Sequence, residues 1–291
     1  LKGLAEPNAW VNIYQDSGST PVATVQAAAN GSWSYRPASA LADGNTRFTA
    51  KQQDVAGNEG TAVSGALNLT VDTSVPTTPA VPSGYADNVG SITNDNSTAA
   101  TTDDTTPGIH IGTVPTGTTP SLYVDGVKVP ATYDATTGTL TPTTPLGEGA
   151  HAITYTLTDP AGNESAPSGS IHLTVDSIAP VQTAAVTGVV DDQGPITNDV
   201  TGGVIDDTSP GLKGTLSAPL ASNEVIRIYD GSTYLGTATV SGTSWTFQDP
   251  RTLTDGAQVS YTTQVEDAAG NKGPVSDPVS ITIKTSVPSI L

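Results

Sequence analysis

The chain has no cysteine and no methionine, and it is poor in aromatic residues and in cations. Only 5% of its 291 residues are aromatic and 35% are hydrophobic, a thin supply for the core of one large domain. Without cysteine, disulfides cannot stabilise small secreted domains, so another interaction must do so. No apolar run is long enough for a signal peptide or a membrane span. We therefore interpret the chain as a piece of a longer protein and expect no membrane insertion.

The scarcity of cations leaves a net charge of −18, and this charge comes mainly from aspartate. Glutamate supplies 6 of the 28 acidic residues and aspartate supplies 22. Aspartate is short, favours turns and places a carboxylate close to the backbone, as oxygen-ligand metal sites require. A negative surface does not attract nucleic acid or an anionic membrane, so neither is expected as a partner.

The motif Asp-x-Ala-Gly-Asn occurs three times, beginning at Asp54, Asp159 and Asp267. The first residues of successive copies lie 105 and then 108 positions apart. Self-similarity at a fixed period predicts one domain type repeated in tandem. The predicted domains are a partial immunoglobulin-like domain at 1–72 that lacks its first strand, complete ones at 73–176 and 177–285, and the start of the next linker at 286–291.

Each repeat shows the period-two alternation of a half-buried strand. Residues 153–157 alternate apolar and polar side chains and end just before Asp159, and Phe48 and Tyr261 have the same parity in the other copies. Further strands are predicted after each motif, at 66–71, 170–175 and 279–283, which indicates hairpins around the Gly-containing loops. Nothing has a sustained helical stripe.

Short strands with frequent turns in units of roughly 100 residues are typical of immunoglobulin-like sandwiches. Trp33 and Trp245 occupy equivalent strand positions, where the middle repeat has Leu140, and all three are predicted to be core residues. The predicted fold is therefore all-β, with tandem immunoglobulin-like β-sandwich domains forming an extended rod.

The junctions between repeats share the pattern Val-Asp-x-x-x-Pro. Val71 to Pro76 matches Val175 to Pro180, and the third copy, Ile283 to Pro288, has Lys284 in place of the aspartate. Such junctions are too short for flexible coils, and proline restricts them further. Adjacent domains are therefore expected to be in near contact.

Acidic residues concentrate in the long first loop of the second and third repeats, around the motifs Ile-Thr-Asn-Asp at 92–95 and 196–199 and the doublets Asp103-Asp104 and Asp206-Asp207. Two unit charges 4 Å apart cost roughly 4 kcal/mol at an effective dielectric constant near 20. A Ca²⁺ ion removes this repulsion, and its six to eight oxygen ligands suit aspartate, asparagine and backbone carbonyls. The alternative is that each aspartate is an ordinary turn residue.

Connectivity of a sandwich predicts which acids meet. The Asp159 loop should face Asp72 at the end of the first repeat, and the Asp267 loop should face Asp176 at the end of the second. The long first loop should lie at the same end of its domain as Asp176. The predicted calcium ligands are Asp72, Asp87, Asp103, Asp104, Asp159, Asp176, Asp191, Asp206, Asp207 and Asp267. Lys284 should weaken metal binding at the third junction.

Catalysis is not expected. The three histidines His110, His151 and His172 belong to no recognisable triad or metal cluster, and acids that recur in every copy make poor candidates for a unique acid/base pair. One alternative is a carbohydrate-binding module that uses the aromatic residues Trp10, Tyr14, Tyr229 or Tyr234. Another is a set of accessory repeats within a secreted polysaccharide hydrolase.

Taken together, the Val-Asp-x-x-x-Pro junctions, Ile-Thr-Asn-Asp, Asp-Asp-Thr-Thr-Pro-Gly and Asp-x-Ala-Gly-Asn resemble bacterial Ig-like repeats of giant adhesins exported by type I secretion. The resemblance covers the whole chain and implies a secreted, cell-surface rod with calcium-dependent rigidity. It also implies attachment to host cells through a surface receptor or glycan. The predicted function is a monomeric stalk segment of a bacterial surface adhesin. The truncated first repeat, Lys284 and Leu140 depart from the pattern.

Overall fold

The computed structural model describes residues 1–194 and 197–287, and within them every regular element is a β-strand. Ile196 of the second Ile-Thr-Asn-Asp motif, Pro288 of the third junction and residues 288–291 of the predicted linker lie outside this part. In the described part, no helix has the length and hydropathy needed to cross a membrane. The prediction of an all-β protein of tandem immunoglobulin-like sandwiches is confirmed.

The first sandwich is built from seven strands. They are β1 (Lys2–Leu4), β2 (Trp10–Gln15), β3 (Ala23–Gln26), β4 (Ser32–Ser34), β5 (Gly44–Gln53), β6 (Glu59–Val63) and β7 (Leu67–Val71). One sheet has the order β3-β2-β5-β6, with β7 also paired to β5, and the other contains only β1 and β4. Val11, Ile13 and Phe48 form a small core between the two sheets.

The second sandwich has two five-stranded sheets. Its strands are β8 (Gly84–Asp87), β9 (Asn94–Ser97), β10 (Thr101–Thr102), β11 (Gly108–His110), β12 (Thr119–Val124), β13 (Val127–Val129), β14 (Ala131–Asp134), β15 (Thr139–Pro142), β16 (Gly149–Thr158) and β17 (Ile171–Val175). The sheet orders are β14-β15-β11-β8-β9 and β10-β17-β16-β12-β13. Alternate residues of β16 and β17, such as Ile153 and Leu173, are buried between the sheets.

The third sandwich repeats this plan. Its strands are β18 (Ala184–Val190), β19 (Asp199–Val200), β20 (Gly203–Ile205), β21 (Gly211–Leu216), β22 (Val225–Asp230), β23 (Thr233–Thr237), β24 (Thr239–Ser241), β25 (Ser244–Gln248), β26 (Gln258–Glu266), β27 (Lys272–Val275) and β28 (Val279–Ile283). The orders are β19-β18-β21-β25-β24 and β20-β28-β26-β22-β23, with β27 on β26. Trp245 and Tyr261 are fully buried in its core.

The chain divides into two compact units. One contains residues 1–78, 116–119 and 157–166, and the other contains residues 79–115, 120–156 and 167–291. The first unit therefore holds the first sandwich together with the loop that begins at Asp159. The second unit holds the third sandwich and most of the second.

The alternating pattern correctly predicted which strand residues are buried, because Phe48, Ile153 and Tyr261 all lie in cores. Trp245 is 1% exposed, as predicted for a core residue, whereas Trp33 is only half-buried. The hairpin prediction was incomplete. The short strands β6 and β27 follow the Asp54 and Asp267 loops directly and pair with β5 and β26 before the expected last strand begins.

The last strand of the second and third sandwiches is an interior strand of its sheet. β17 lies between β16 and β10, and β28 lies between β26 and β20. Both β10 and β20 run parallel to it, with Thr102 opposite Val175 and Ile205 opposite Ile283. This pairing brings the acidic doublets that follow β10 and β20 to the end where the chain leaves each sandwich.

Candidate functional site

The three Asp-x-Ala-Gly-Asn loops have the same internal hydrogen bonds. In the third copy, Asp267 Oδ1 accepts hydrogen bonds from the backbone N–H of Ala269 and of Asn271, and Oδ2 accepts one from Asn271 Nδ2. The glycine of each copy has a φ between +92° and +96°, a left-handed conformation that favours glycine. The carboxylates of Asp54, Asp159 and Asp267 therefore cap their own loops.

The asparagine of the loop, and not the aspartate, contacts the last residue of the preceding repeat. Asn163 Nδ2 donates a 3.0 Å hydrogen bond to the backbone carbonyl of Asp72, and Asn271 Nδ2 donates a 2.7 Å bond to that of Asp176. The sequence correctly predicted that the Asp159 loop faces Asp72 and that the Asp267 loop faces Asp176. It did not predict that the asparagines bond to the preceding repeat.

The first loop of the second sandwich forms a buried acidic cluster from Asp87, Asp103 and Asp104. Asp87 Oδ2 accepts a 2.8 Å hydrogen bond from Thr102 Oγ1, and Asp104 Oδ1 accepts one of 2.7 Å from the N–H of Thr106. Among the described residues, the buried Oδ1 of Asp103 has no hydrogen-bond partner. A buried carboxylate oxygen left in this way is energetically costly.

The acidic cluster also receives a residue of the next repeat. Burial raises the pKa of Asp103, and the charges of Asp87, Asp104 and Asp267 raise it further. Asp267 is only 5% exposed. Nearby, Ser91 Oγ donates a 2.7 Å hydrogen bond to the backbone carbonyl of Gly270. Four carboxylates that the sequence placed near one junction are thus close enough to repel one another.

Asp176 joins this region through its backbone. Its N–H donates a 2.9 Å hydrogen bond to the carbonyl of Thr102, the residue that precedes Asp103. Its side chain is half-buried, and Oδ1 accepts a 3.3 Å bond from the N–H of Ile178. The structure therefore places Asp176 beside the acidic loop of its own sandwich and in contact with the Asp267 loop, as predicted.

The first loop of the third sandwich repeats the arrangement with Asp191, Asp206 and Asp207. Burial raises the pKa of Asp191, and the charges of Asp206 and Asp207 raise it further. As with Asp103, the buried Oδ1 of Asp191 has no partner among the described residues. Lys284 takes the place of Asp176 here: its N–H bonds Ile205 O at 2.7 Å, and its ammonium group lies 3.9 Å from Asp255.

Glycine is required at one position of each acidic loop. Gly90 and Gly194 both have φ near +71°. A Cβ atom added to Gly90 would lie 1.7 Å from Oδ2 of Asp103, and one added to Gly194 would lie 1.9 Å from Oδ2 of Asp206. The two loops thus close tightly over equivalent carboxylates, although the glycine and the aspartate are 13 positions apart in the first loop and 12 in the second.

Asp72 differs from the other predicted ligands because its side chain is exposed. Its Oδ1 caps the following turn by accepting a 3.0 Å hydrogen bond from the N–H of Ser74. Across residues 1–194 and 197–287, no group of three or more Asp, Glu or His side chains has the arrangement of a metal site. The donor types and the partnerless oxygens of Asp103 and Asp191 fit a hard cation such as Ca²⁺.

The aromatic residues considered for carbohydrate binding are placed unequally. Tyr14 is buried and donates its hydroxyl hydrogen to Glu59, whereas Trp10 is 39% exposed. Tyr229 and Tyr234 form a tilted pair with ring centroids 5.7 Å apart. Tyr14 is therefore not available as an exposed ring for the carbohydrate-binding alternative.

Comparison with known proteins places the chain in a family. The model described as "Bacterial Ig-like domain" matches residues 1–73 and 78–177. Because the match covers more than half of the sequence, the chain belongs to the bacterial Ig-like domain family. It matches no curated protein.

Three solved structures illustrate what the chain is similar to. The fibronectin(III)-like modules of Clostridium thermocellum CbhA share 14% identity, covering 74% of this chain and 93% of theirs, at a TM-score of 0.39. A 1.5-MDa bacterial ice-binding adhesin shares 18% sequence identity, covering 97% of this chain and 90% of the adhesin chain, at a TM-score of 0.26. A tetra-tandem repeat from the extending region of a large adhesion protein shares 20% sequence identity, covering 98% of this chain and 70% of that chain, at a TM-score of 0.23. At TM-scores below 0.5, none of these likenesses bears on function.

Proposed function

We propose that this chain is a stalk segment of a bacterial surface adhesin, whose Ig-like domains are fixed to one another by Ca²⁺. The observation that carries the proposal is the set of mutually repelling carboxylates of Asp87, Asp103, Asp104 and Asp267, contributed by two successive repeats. Proteins retain such clusters where a cation binds them. A repeated spacer also explains three copies of one motif better than an active site does.

The residues that would hold the ion follow from the placement of the acids. At the second junction they are Asp87, Asp103, Asp104, Asp176 and Asp267. At the end of the third sandwich they are Asp191, Asp206 and Asp207, and Asp72 and Asp159 would serve the first junction. A bound Ca²⁺ supplies positive charge that cancels the repulsion and links loops from different repeats. The chain's own part is to bury and orient the carboxylates: Thr102 Oγ1 donates to Asp87, and the backbone N–H of Thr106 donates to Asp104.

The adhesive context rests on the resemblance of the motifs to giant adhesin repeats, and within that group to the giant non-fimbrial adhesin of Salmonella. In this context the segment is exported by type I secretion and lies at the bacterial surface. It holds a terminal binding region away from the cell, where that region attaches to a host receptor or glycan. The segment itself works as a monomer, and its contribution to virulence is mechanical.

Calcium titration of the purified chain tests the proposal. Thermal unfolding after chelation is compared with unfolding in Ca²⁺ and in Mg²⁺, for the native chain and for the variants D267N and D95N. At a free concentration 100 times the Kd, one bound ion stabilises the fold by about 2.7 kcal/mol. We expect the full gain in the native chain and in D95N, whose exposed acid lies on β9, and a smaller gain in D267N, which retains the sites proposed at the first junction and in the third sandwich. Equal unfolding temperatures with and without Ca²⁺ would refute the calcium part.

A second candidate function is direct carbohydrate binding. The observation in its favour is the pair formed by Tyr229 and the 47% exposed Tyr234, with the guanidinium of Arg227 5.2 Å from the Tyr234 ring and the ammonium of Lys272 6.0 Å from the Tyr229 ring. Aromatic faces beside cations suit sugar rings that carry acidic groups. A glycan array with the native chain and Y234A distinguishes the two functions, because a pure spacer binds nothing.

A further inference from the structure

A turn with the sequence Leu-x-acid-Gly precedes the longest strand of each sandwich. The acids are Asp43, Glu148 and Asp255, and none of them is among the predicted calcium ligands. In each sandwich the glycine of this turn lies beside the final residue of the last strand. The three pairs are Gly44 with Val71, Gly149 with Val175, and Gly256 with Ile283. The pairing thus brings each acid to the point where the chain leaves its sandwich.

The acid of the turn binds the second residue after the last strand. Asp43 Oδ1 accepts a 3.0 Å hydrogen bond from the N–H of Thr73 and a 2.8 Å bond from its hydroxyl. Glu148 Oε2 accepts a 3.0 Å bond from the N–H of Ser177, and Oε1 accepts one from its hydroxyl. These bonds, chiefly those from the two hydroxyls, lower the pKa of both acids. Both acids are therefore ionised at neutral pH.

The third sandwich has the same arrangement beside a lysine. Asp255 Oδ1 accepts a 2.7 Å hydrogen bond from the N–H of Thr285 and a 3.4 Å bond from its hydroxyl. The residue before Thr285 is Lys284, which stands where Asp72 and Asp176 stand in the other repeats. The contact between the turn and the exit segment therefore needs neither an acid at the exit position nor the cation that such an acid would bind.

At the second junction, the N–H that the acid binds belongs to the peptide group that the next repeat contacts. A peptide group is planar, and its C=O and N–H point in opposite directions. The carbonyl of Asp176 and the N–H of Ser177 form one such group. Glu148 accepts the hydrogen bond from its N–H, and Asn271 donates one to its carbonyl. The acid and the asparagine therefore hold opposite sides of one rigid unit.

The first junction has the same series of bonds. Asn163 donates a 3.0 Å hydrogen bond to the carbonyl of Asp72, and Asp43 accepts a 3.0 Å bond from the N–H of Thr73. Hydrogen bonds arranged in series through a peptide group polarise and strengthen one another. A carboxylate on the N–H side thus fixes the direction of the carbonyl and also makes that carbonyl a stronger acceptor.

We propose that Asp43 and Glu148 are positioning residues, which orient the peptide group that the asparagine of the next repeat recognises. Asp255 orients the carbonyl of Lys284 through the same kind of bond to its peptide group. This role goes beyond the proposed calcium bridge, because it uses no metal ion. The direction in which the chain leaves each sandwich is thus set by that sandwich itself.

Hydrogen exchange of asparagine side-chain amides in the full chain, measured in chelator, tests the proposal. E148A should accelerate exchange of the Asn271 side-chain amide several-fold, because a weaker bond to Asp176 protects it less. The same variant should leave the side-chain amide of Asn163 unchanged, and D43A should have the reverse effect. E148D should lie closer to the native chain than E148A does, since the other two repeats have aspartate at this position.

Two comparisons separate this role from a general loosening of the second sandwich. The backbone amides of β17 should exchange at the native rate in E148A, which a loosened sandwich would not allow. S177A should have a smaller effect on Asn271 than E148A has, because it removes the hydroxyl bond and keeps the N–H bond that orients the peptide group.

An unchanged exchange rate of Asn271 in E148A would overturn the proposal, and so would equal acceleration of Asn271 and Asn163. An effect of E148A that appears only in Ca²⁺ would show that Glu148 is a metal ligand, and the proposal would again be wrong. If E148A has the expected effect but the native chain does not respond to Ca²⁺, the role of Glu148 stands and the calcium bridge fails.

Discussion

The side-chain amide of Asn271 donates a 2.7 Å hydrogen bond to the backbone carbonyl of Asp176. The same amide group also bonds Oδ2 of Asp267 within its own loop. One asparagine thus fastens a loop internally and attaches that loop to the end of the preceding repeat. Asn163 does the same with Asp159 and Asp72.

Replacing Asn271 by alanine should loosen this junction more than the matching change in the first repeat. N271A loses the loop bond and the bond to Asp176, whereas N58A loses only the bond to Asp54. The extra hydrogen bond is worth about 0.5–1.5 kcal/mol. Amide exchange of Asp267 and Gly270, compared with that of Asp54 and Gly57, measures the difference. Equal acceleration in the two variants would show that the bond to Asp176 contributes nothing.

Replacing Asp103 by asparagine should have opposite effects with and without calcium. Burial and the charges of Asp87, Asp104 and Asp267 raise the pKa of Asp103, so its ionised form is unfavourable in the metal-free fold. D103N should therefore melt at a higher temperature than the native chain in chelator at pH 7, but gain less from added Ca²⁺. D95N makes the same charge change at an exposed position and should alter neither value. A lower melting temperature of D103N in chelator would contradict the electrostatic argument.

The raised pKa of Asp103 also determines how the stability of the metal-free chain changes with pH. The pKa of Asp103 is higher in the folded state than in the unfolded state. At pH values between these two pKa values, the folded state therefore binds a proton that the unfolded state does not. The free energy of unfolding of the metal-free chain should thus rise as the pH falls through the folded pKa. In D103N this rise should be smaller.

Removing Arg251 should destabilise the third sandwich strongly. Asp249 is fully buried and accepts hydrogen bonds from Arg251 and from the hydroxyl of Tyr261. Breaking a buried ion pair by removing one partner costs about 3–5 kcal/mol. R251A should lose this amount, measured by denaturant-dependent amide exchange of β26, whereas R36A, at an exposed position, should change little.

The hydrogen bonds to Asp249 should also make the third sandwich less stable at acidic pH. Burial acts to raise the pKa of Asp249, but the hydrogen bonds from Arg251 and Tyr261 outweigh it, and the pKa lies below its ordinary value. The stabilisation is present above the unfolded pKa, near 4, and is lost as the pH falls through the folded pKa. The free energy of unfolding of R251A should fall less over this pH range than that of the native chain.

His151 should make the second sandwich more stable at mildly acidic pH. Its Nδ1 lies 2.8 Å from Asp125 Oδ2 and its Nε2 lies 2.8 Å from Gly147 O, so both contacts are hydrogen bonds only when the ring is protonated. Burial acts to lower the pKa of His151, but these two acceptors outweigh it and raise the pKa.

The stabilisation by His151 is complete below its unfolded pKa, near 6.5, and is lost as the pH rises through the folded value. Thermal unfolding between pH 5.5 and 8.5 should show this loss in the native chain and in H172Q, whose histidine is exposed, but not in H151Q. A parallel pH profile for H151Q and the native chain would exclude the effect.

The sequence predicted the large features well because they depend on short-range patterns. Alternation identified the buried faces of β5, β16 and β26, and the repeat spacing identified tandem sandwiches. The fold also requires elements too short to leave a pattern. β10 and β20 are two and three residues long, and they are defined by pairing with residues of β17 and β28 that lie 73 and 78 positions further along the chain.

The sequence predicted only that part of the candidate site which depends on composition, repetition and connectivity. Composition and repetition indicated the acids, and connectivity indicated that Asp176 and Asp267 belong together. Burial could not be predicted, because Asp103 is buried by the closure of its loop over Gly90, whereas Asp72 has the same side chain and stays exposed. The bond from Asn271 to a backbone carbonyl also depends on no side chain of the partner residue, so no residue pattern signals it.

The parallel partners of the last strands affect how the chain resists tension. A force pulling on the end of β17 or β28 acts along two ladders of hydrogen bonds at once, so several bonds must break in shear before the strand leaves. Stretching the chain should therefore leave the second and third sandwiches folded until the ladders on both sides of the last strand fail together.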